Sequence, residues 1–165
     1  MKLLKDYDSY DEYVDHQKEK TLDPVRREKW LGEEWDLKLN GFSDIFGNTC
    51  KNILEEGMSA LCIGARTGQE VVALKNLGIN AIGIDLVECE PHVVLGDMHD
   101  LDYDDNSFDF VFTNVFDHSL YPSEMISEVE RVLKIGGYFL LQMQSLSKIL
   151  KSKIKLHRFL KENYK

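Results

Sequence analysis

The chain has 165 residues and a mass of 19.1 kDa, 43% hydrophobic and 30% charged, which is the length of one domain and a composition that excludes disorder. A net charge of −9 excludes a chain-wide attraction to phosphate backbones or anionic lipid. The charge is unevenly spread: residues 1–144 hold 13 Lys/Arg against 28 Asp/Glu, whereas residues 145–165 hold seven Lys/Arg and one Glu.

Cys50, Cys62 and Cys89 are too few for a disulfide framework, and no Cys/His spacing suits a zinc site. No apolar run approaches the ~18 residues of a membrane span, and the opening Met1–Lys5 leads into acidic residues rather than an apolar core. A reducing, cytoplasmic setting is therefore expected, with no metal, membrane or nucleic-acid partner indicated.

In chain order, the charge-dense start predicts a helix over about Tyr7–Lys20. Asp23 and Pro24 suit the cap and first turn of a second helix to about Leu37. These helices either shelter one mouth of the domain or bring His16, Gln17 and Lys20 to a ligand. After Gly57 the pattern becomes regular. Met58–Ile63 reads as a buried strand, Gln69–Leu77 as a helix closed by Gly78, and Asn80–Leu86, His92–Leu95 and Phe108–Thr113 as strands. Tyr121–Leu133 reads as a helix, and Gly136-Gly137 breaks the chain before a strand over Tyr138–Gln144. In the basic tail, a single amphipathic helix competes with a short helix followed by a strand over Lys153–Leu160.

Strands alternating with helices at this spacing predict an α/β fold, a doubly wound, mostly parallel sheet flanked by helices. The expected division is an N-terminal helical segment 1–56, a ligand-binding core 57–144 and the tail 145–165, all in one domain. In such sheets ligands lie outside the carboxyl ends of the strands, so the strand ends carry the functional reading.

The first strand end, Gly64-Ala65-Arg66-Thr67-Gly68, is a tight strand-to-helix turn where missing side chains let a ligand approach the backbone. The second ends in Gly83-Ile84-Asp85-Leu86, and a carboxylate there can accept both hydroxyls of a ribose. The third ends in Gly96-Asp97-Met98, where Asp97 can accept from an adenine amine and Met98 can face a purine ring. Together these predict a nucleoside-containing cofactor.

These segments, with Asn106–Val111 and Glu130-Arg131-Val132-Leu133-Lys134-Ile135-Gly136-Gly137, resemble the class I S-adenosylmethionine-dependent methyltransferases over about residues 55–144. The resemblance implies a Rossmann-like sheet of seven strands, the last antiparallel, and methyl transfer from S-adenosylmethionine to a small-molecule acceptor. It assigns Gly64, Ala65, Arg66 and Gly68 to the methionine part of the cofactor, Asp85 and Leu86 to ribose, and Asp97 and Met98 to adenine. Asn114 is implied at the cofactor's amino-acid end. The chain departs from the family in having Cys62 where an acidic residue is usual and Arg66 where glycine is usual. By length it is short for the family, ending about where the seventh strand is due, with the tail expected to supply the sixth.

Methyl transfer chiefly requires that two ligands be positioned, and needs a base only when the acceptor must lose a proton. Asp117 and His118, after the fourth strand, are candidates for base or substrate anchor, with loop structure and capping as their alternative. Two other readings stay open: a fold of this type that has lost catalysis and serves as a binding or scaffold module, and a nicotinamide-dependent oxidoreductase. The motifs at residues 96–111 and 130–137 speak against the second. An open sheet edge would favour a homodimer.

Overall fold

A computed structural model describes residues 7–143 and the backbone of 153–158. Helix α1 (Tyr10–Leu22) starts where the Ser9 side chain accepts from the Glu12 N–H, and α2 (Pro24–Leu31) where Asp23 accepts from the Arg26 N–H with proline at the first helical position. Gly32 ends α2, and a separate helix α3 (Trp35–Asp44) follows, running into a π-helical turn over Ile45–Thr49. The second predicted helix is thus two helices. Between them they leave Leu31 and Leu37 exposed and direct Leu39, Phe42, Ile45 and Phe46 inward.

The sheet contains β1 (Ser59–Ile63), β2 (Asn80–Asp85), β3 (Val93–Leu95), β4 (Phe108–Thr113), β5 (Leu133–Met143) and β6 (Lys153–Arg158), in the order β3-β2-β1-β4-β5-β6. Five strands are parallel, and β6 pairs antiparallel with β5 from Tyr138↔Arg158 to Met143↔Lys153. The tail therefore contributes the strand expected of it, but in the antiparallel orientation that the family resemblance gives to its last strand. The short helix expected before it lies outside the described residues.

Helices α4 (Gln69–Lys75) and α5 (Pro122–Val132) lie on opposite faces. On one face Phe46, Cys50, Ala60, Cys62, Val71, Leu74, Phe110 and Phe112 form a core under α3, the π turn and α4. Phe46 stands edge-on to Phe110 and Phe112, with centroids 6.1 and 5.1 Å away. On the other face Leu61, Ile63, Val111, Met125, Val129 and Phe139 pack beneath α5. Such two-sided burial explains why the strands read as unbroken apolar runs.

Strand β5 starts at Leu133, directly from α5, rather than after the glycines. The register moves from Phe108↔Leu133 to Phe110↔Tyr138, so residues 134–137 form an outward bulge in which Gly136 has φ +83°. Its Lys134 Nζ donates to Asp109 Oδ2 at 2.9 Å, and Asp109 also accepts from the Ser59 N–H, tying together the starts of three strands. Arg131 does the same for the loop after β3. It grips Glu128 (2.7 and 2.9 Å) and donates to the carbonyls of Leu101 (2.7 Å) and Tyr103 (2.6 Å).

Gly83 sets the distance between β2 and α4. A Cβ there would stand 2.6 Å from the Ala65 Cβ and 2.9 Å from Val71 Cγ2. Gly83→Ala is expected to cost about 1–3 kcal/mol through overpacking, a fall of roughly 3–10 °C in Tm by differential scanning calorimetry.

Candidate functional site

The turn after β1 is held by the backbone. The N–H groups of Gly64 and Ala65 both donate to the Ile84 carbonyl at 2.9 Å, Gly68 N–H to the Ala65 carbonyl at 2.8 Å, and Arg66 N–H to Asp85 Oδ2 at 3.0 Å. Gly64, Arg66 and Gly68 have φ of +74°, +49° and +88°. Arg66 thus adopts the left-handed conformation for which glycine is the usual choice. Its guanidinium stacks 4.2 Å from the centre of the Trp30 ring, a contact that offsets the backbone cost. Trp30 was not legible as a site residue, because its partner is 36 positions away and on another element.

Two cavities open beside this turn and share Gly64, Arg66, Val115 and His118 as a wall. The first, of about 80 Å³, is lined by Asp85 and Leu86 from the end of β2, by Gly96, Asp97 and Met98 from the end of β3, and by Tyr13, Gln17, Lys20 and Thr21 of α1. The second, of about 330 Å³, is lined by Ala65, Gln69, Glu70, Asn114 and Gln142 together with Lys38, Phe42 and Ile45 of α3 and the π turn. That volume lies within the ~300–1,000 Å³ usual for small-molecule sites.

All nine residues singled out for a cofactor thus lie at or around one cleft, with a difference in role. Gly68 lines neither cavity, and its missing side chain makes room for His92, whose Cβ would be 2.7 Å from an added one. His118 lines both cavities, whereas Asp117 lines neither and stands 4.0 Å from the imidazole. Of the three helix residues weighed for ligand contact, Gln17 and Lys20 line the first cavity, and His16 is instead hydrogen-bonded to the Tyr7 hydroxyl. Residues that sequence reasoning passed over are Tyr10, Tyr13, His99, Ser119, Val115, Gln142 and Lys38. The spacing of Tyr10 and Tyr13 on one helical face was the signal available.

Asp85 accepts from the Arg66 and Val87 N–H groups, yet burial outweighs these bonds and pushes its carboxyl up. Asp97 is pushed up by burial too, but hydrogen bonds from His99 and Tyr10 win and hold it below its ordinary value. The Tyr10 hydroxyl donates to Asp97 Oδ2, and His99 N–H to Oδ1 at 2.8 Å. His99 Nε2 faces Ser119 Oγ at 2.8 Å and the donating Tyr121 N–H at 3.3 Å, which makes it an acceptor. The proton of the neutral ring is therefore on Nδ1, 3.0 Å from Asp97 Oδ1. Burial pushes the His118 imidazole down, with Lys20 and Arg66 adding to the effect against Asp117. The Tyr13 hydroxyl is buried with no partner in the first cavity, and Gln142 Oε1 likewise in the second.

Residues 61–141 match the family model described as a methyltransferase domain. Among solved structures, a methyltransferase in complex with the Trm112 methyltransferase activator of Haloferax volcanii is 26% identical, with a TM-score of 0.50, matching 66% of this chain and 57% of its own. An S-adenosylmethionine-dependent methyltransferase of Methanosarcina mazei is also 26% identical, with a TM-score of 0.52 and coverage of 58% and 56%. A Pyrococcus horikoshii protein shares the fold at 20% identity, with a TM-score of 0.57 and coverage of 65% and 58%. The chain spans a little over half the length of these proteins. A comparison with curated proteins returns no match. The fold is that of a Rossmann-like α/β protein, similar to methyltransferase domains, with the two cavities at its strand ends. By this match residues 61–141, 81 of the 165, resemble the methyltransferase-domain family. Among the described residues no helix is long and apolar enough to cross a membrane, and no cluster of three or more His, Cys, Asp or Glu could hold a metal ion.

Glu70 is 4% exposed, and burial pushes its carboxyl from 4.5 up to about 8. The unfolded chain releases this proton near pH 4.5 and the fold holds it to about pH 8. Its contribution to stability is therefore full below pH 4.5 and falls as pH rises between the two, by up to about 1.4 kcal/mol per pH unit. Glu70→Gln is expected to flatten that slope in urea-denaturation midpoints measured from pH 5 to 8.

Proposed function

We propose that this domain binds S-adenosylmethionine across the two cavities and transfers its methyl group to a small-molecule acceptor. The observation that carries the reading is the convergence of Asp85, Asp97 and the Gly64–Gly68 turn on one cleft, 80 Å³ of it bounded by two carboxylates and an unpartnered tyrosine hydroxyl. The residues fit the group. Each Asp85 oxygen keeps a lone pair beyond its backbone bond that would take a ribose hydroxyl, Asp97 would accept from the adenine amine, and Met98 and Leu86 would offer apolar surface to the rings. When bound, the cofactor supplies an electrophilic methyl group on a sulfonium.

The protein's own part is to orient and to exclude water. Val115 packs against the bare Gly64 backbone, where an added Cβ would be 2.2 Å from Val115 Cγ2, and so fixes the wall between the cavities. Phe42 and Ile45 give the second cavity an apolar side that shields the reacting centre. His118, neutral at ordinary pH because of burial, is the group that takes a proton from an acceptor that carries one. Asp117, outside both cavities, acts on that imidazole rather than on substrate. The intact left-handed turn at Arg66 favours a binding-competent site over a degenerate scaffold.

Three outcomes test this. S-Adenosylhomocysteine should raise the Tm, since a ligand at a hundredfold excess over Kd adds about 2.7 kcal/mol of stability. Asp85→Asn should weaken binding about tenfold or more by calorimetry, and no thermal shift at millimolar ligand would refute the reading. Tyr10→Phe frees Asp97 Oδ2 of its competing hydroxyl while keeping the ring stacked on Tyr121, and is expected to tighten S-adenosylhomocysteine about 3- to 10-fold in the same titration.

A further inference from the structure

We propose that Arg66 anchors the methyl acceptor: its guanidinium, stacked on Trp30 at the wall shared by the two cavities, pairs edge-on with a carboxylate, so that the substrate class is a small carboxylic acid with an apolar body. This rests on the cofactor reading above and goes beyond it by naming the group on the acceptor that is recognised and the side chain that recognises it.

The starting point is a long charged residue where glycine is the usual choice. Arg66 holds φ +49°, and a side chain kept in that conformation beside a cleft points to a role for the side chain itself. The turn directs it onto the indole of Trp30, 4.2 Å from the ring centre. Stacking occupies the face of a guanidinium and leaves its N–H groups, which lie in the plane, open at the edge. Among the described residues no carboxylate lies within ion-pair distance of that edge, and Asp85 is bonded to the Arg66 backbone N–H instead. The other two cations that line the cavities are occupied. Lys20 Nζ donates to Gln17 Oε1 at 3.3 Å, and Lys38, 5.4 Å over the same indole, is paired with Glu34 at 2.9 Å. A half-buried guanidinium with unused donors, on the wall of a 330 Å³ space, suits an anion that enters from outside.

The surroundings narrow the anion. The chain carries −9 overall, yet this wall is positive, and a cleft with low-dielectric sides focuses such a field on an anionic solute. Glu70, which lines the second cavity, is kept protonated by burial to about pH 8 and does not neutralise it. One open planar fork matches the two oxygens of a carboxylate in a bidentate pair, whereas a phosphate dianion would be left with unmatched charge. Phe42, Ile45 and Val115 line the same space and suit an apolar body beyond the carboxylate.

His118 stands on the same wall, its imidazole pushed down by burial with Lys20 and Arg66 adding to the effect. An acceptor held by its carboxylate therefore presents its other end along that wall. There its hydroxyl or amine loses a proton to His118 as its bond to the methyl carbon forms, and the sulfur–methyl bond breaks with its electron pair left on sulfur. The carboxylate stays on Arg66 unchanged.

Titration of the S-adenosylhomocysteine-loaded protein with benzoate, benzamide and phenyl phosphate tests this, read by calorimetry and by Trp30 fluorescence in a Trp35→Phe background, which leaves one indole. Benzoate is expected to bind at millimolar concentration and to perturb the Trp30 emission, and benzamide, its uncharged counterpart, to bind about tenfold more weakly. Arg66→Gly suits the left-handed turn and so keeps the fold. It is expected to lower benzoate affinity about tenfold or more, and S-adenosylhomocysteine affinity by less. Arg66→Lys keeps the charge without the fork and should fall between.

No benzoate binding at millimolar concentration, equal binding of benzoate and benzamide, or benzoate affinity retained in Arg66→Gly overturns the anchor and leaves the cofactor reading standing. Tighter binding of phenyl phosphate than of benzoate overturns the carboxylate assignment. A loss in Arg66→Gly as large for S-adenosylhomocysteine as for benzoate, and absent for 5′-methylthioadenosine, assigns the guanidinium to the cofactor's own carboxylate and overturns the acceptor role. Failure of S-adenosylhomocysteine to bind overturns the anchor and the cofactor reading together.

Discussion

The structure turns on how the end of β1 is bonded to the end of β2. Two consecutive amides, of Gly64 and Ala65, reach one carbonyl, that of Ile84, and a third, of Arg66, reaches the Asp85 carboxylate. This forces left-handed backbone at three of five residues and requires Gly83 to be bare so that Ala65 and Val71 can close on the strand. The position of α4, the orientation of Asp85 and the wall between the two cavities all follow from it. A loop of this kind is expensive in conformational entropy, and it persists because buried strands on both sides fix its ends.

Seen this way, the two departures from the family pattern have different physical weight. Arg66 keeps the backbone geometry that glycine would give and moves its side chain out onto Trp30, so the turn is unchanged in shape and gains a tether to α2. Cys62 stands uncharged inside β1, and the nearest carboxyl to it is that of Glu70 at the start of α4, itself lining the second cavity.

Much of the core was legible in the chain. Ala60–Ile63 and Phe110–Thr113 are buried on both faces, so their apolar runs could only be central strands, and the strand ends then located Asp85 and Asp97 without further knowledge. The helix α3 was not legible. Its inward stripe of Leu39, Phe42, Ile45 and Phe46 contains Gly41 and is followed by Gly47, and the π turn shifts the period so that Phe46 and Cys50 still face the sheet. The start of β5 was misplaced because Gly136-Gly137 signals a break, whereas the sheet absorbs it as a bulge. At the site, Tyr13 and Gln142 were hidden for a common reason. Pattern reading assigns polar residues to the surface, and these are polar groups held inside.

The tether from Arg66 to Trp30 and the bond from Tyr10 to Asp97 bear on where the functional unit ends. The stretch that carries the family's signature, residues 61–141, supplies the floor of both cavities and none of the roof. Tyr13, Gln17, Lys20 and Thr21 enclose one side, and Lys38, Phe42 and Ile45 the other. Grafting the signature segment alone into another protein would transplant a recognisable motif with an open, solvent-filled groove. Closure of the cleft is thus a property of the least family-like third of the sequence, which supplies the side chains that cover the motif residues.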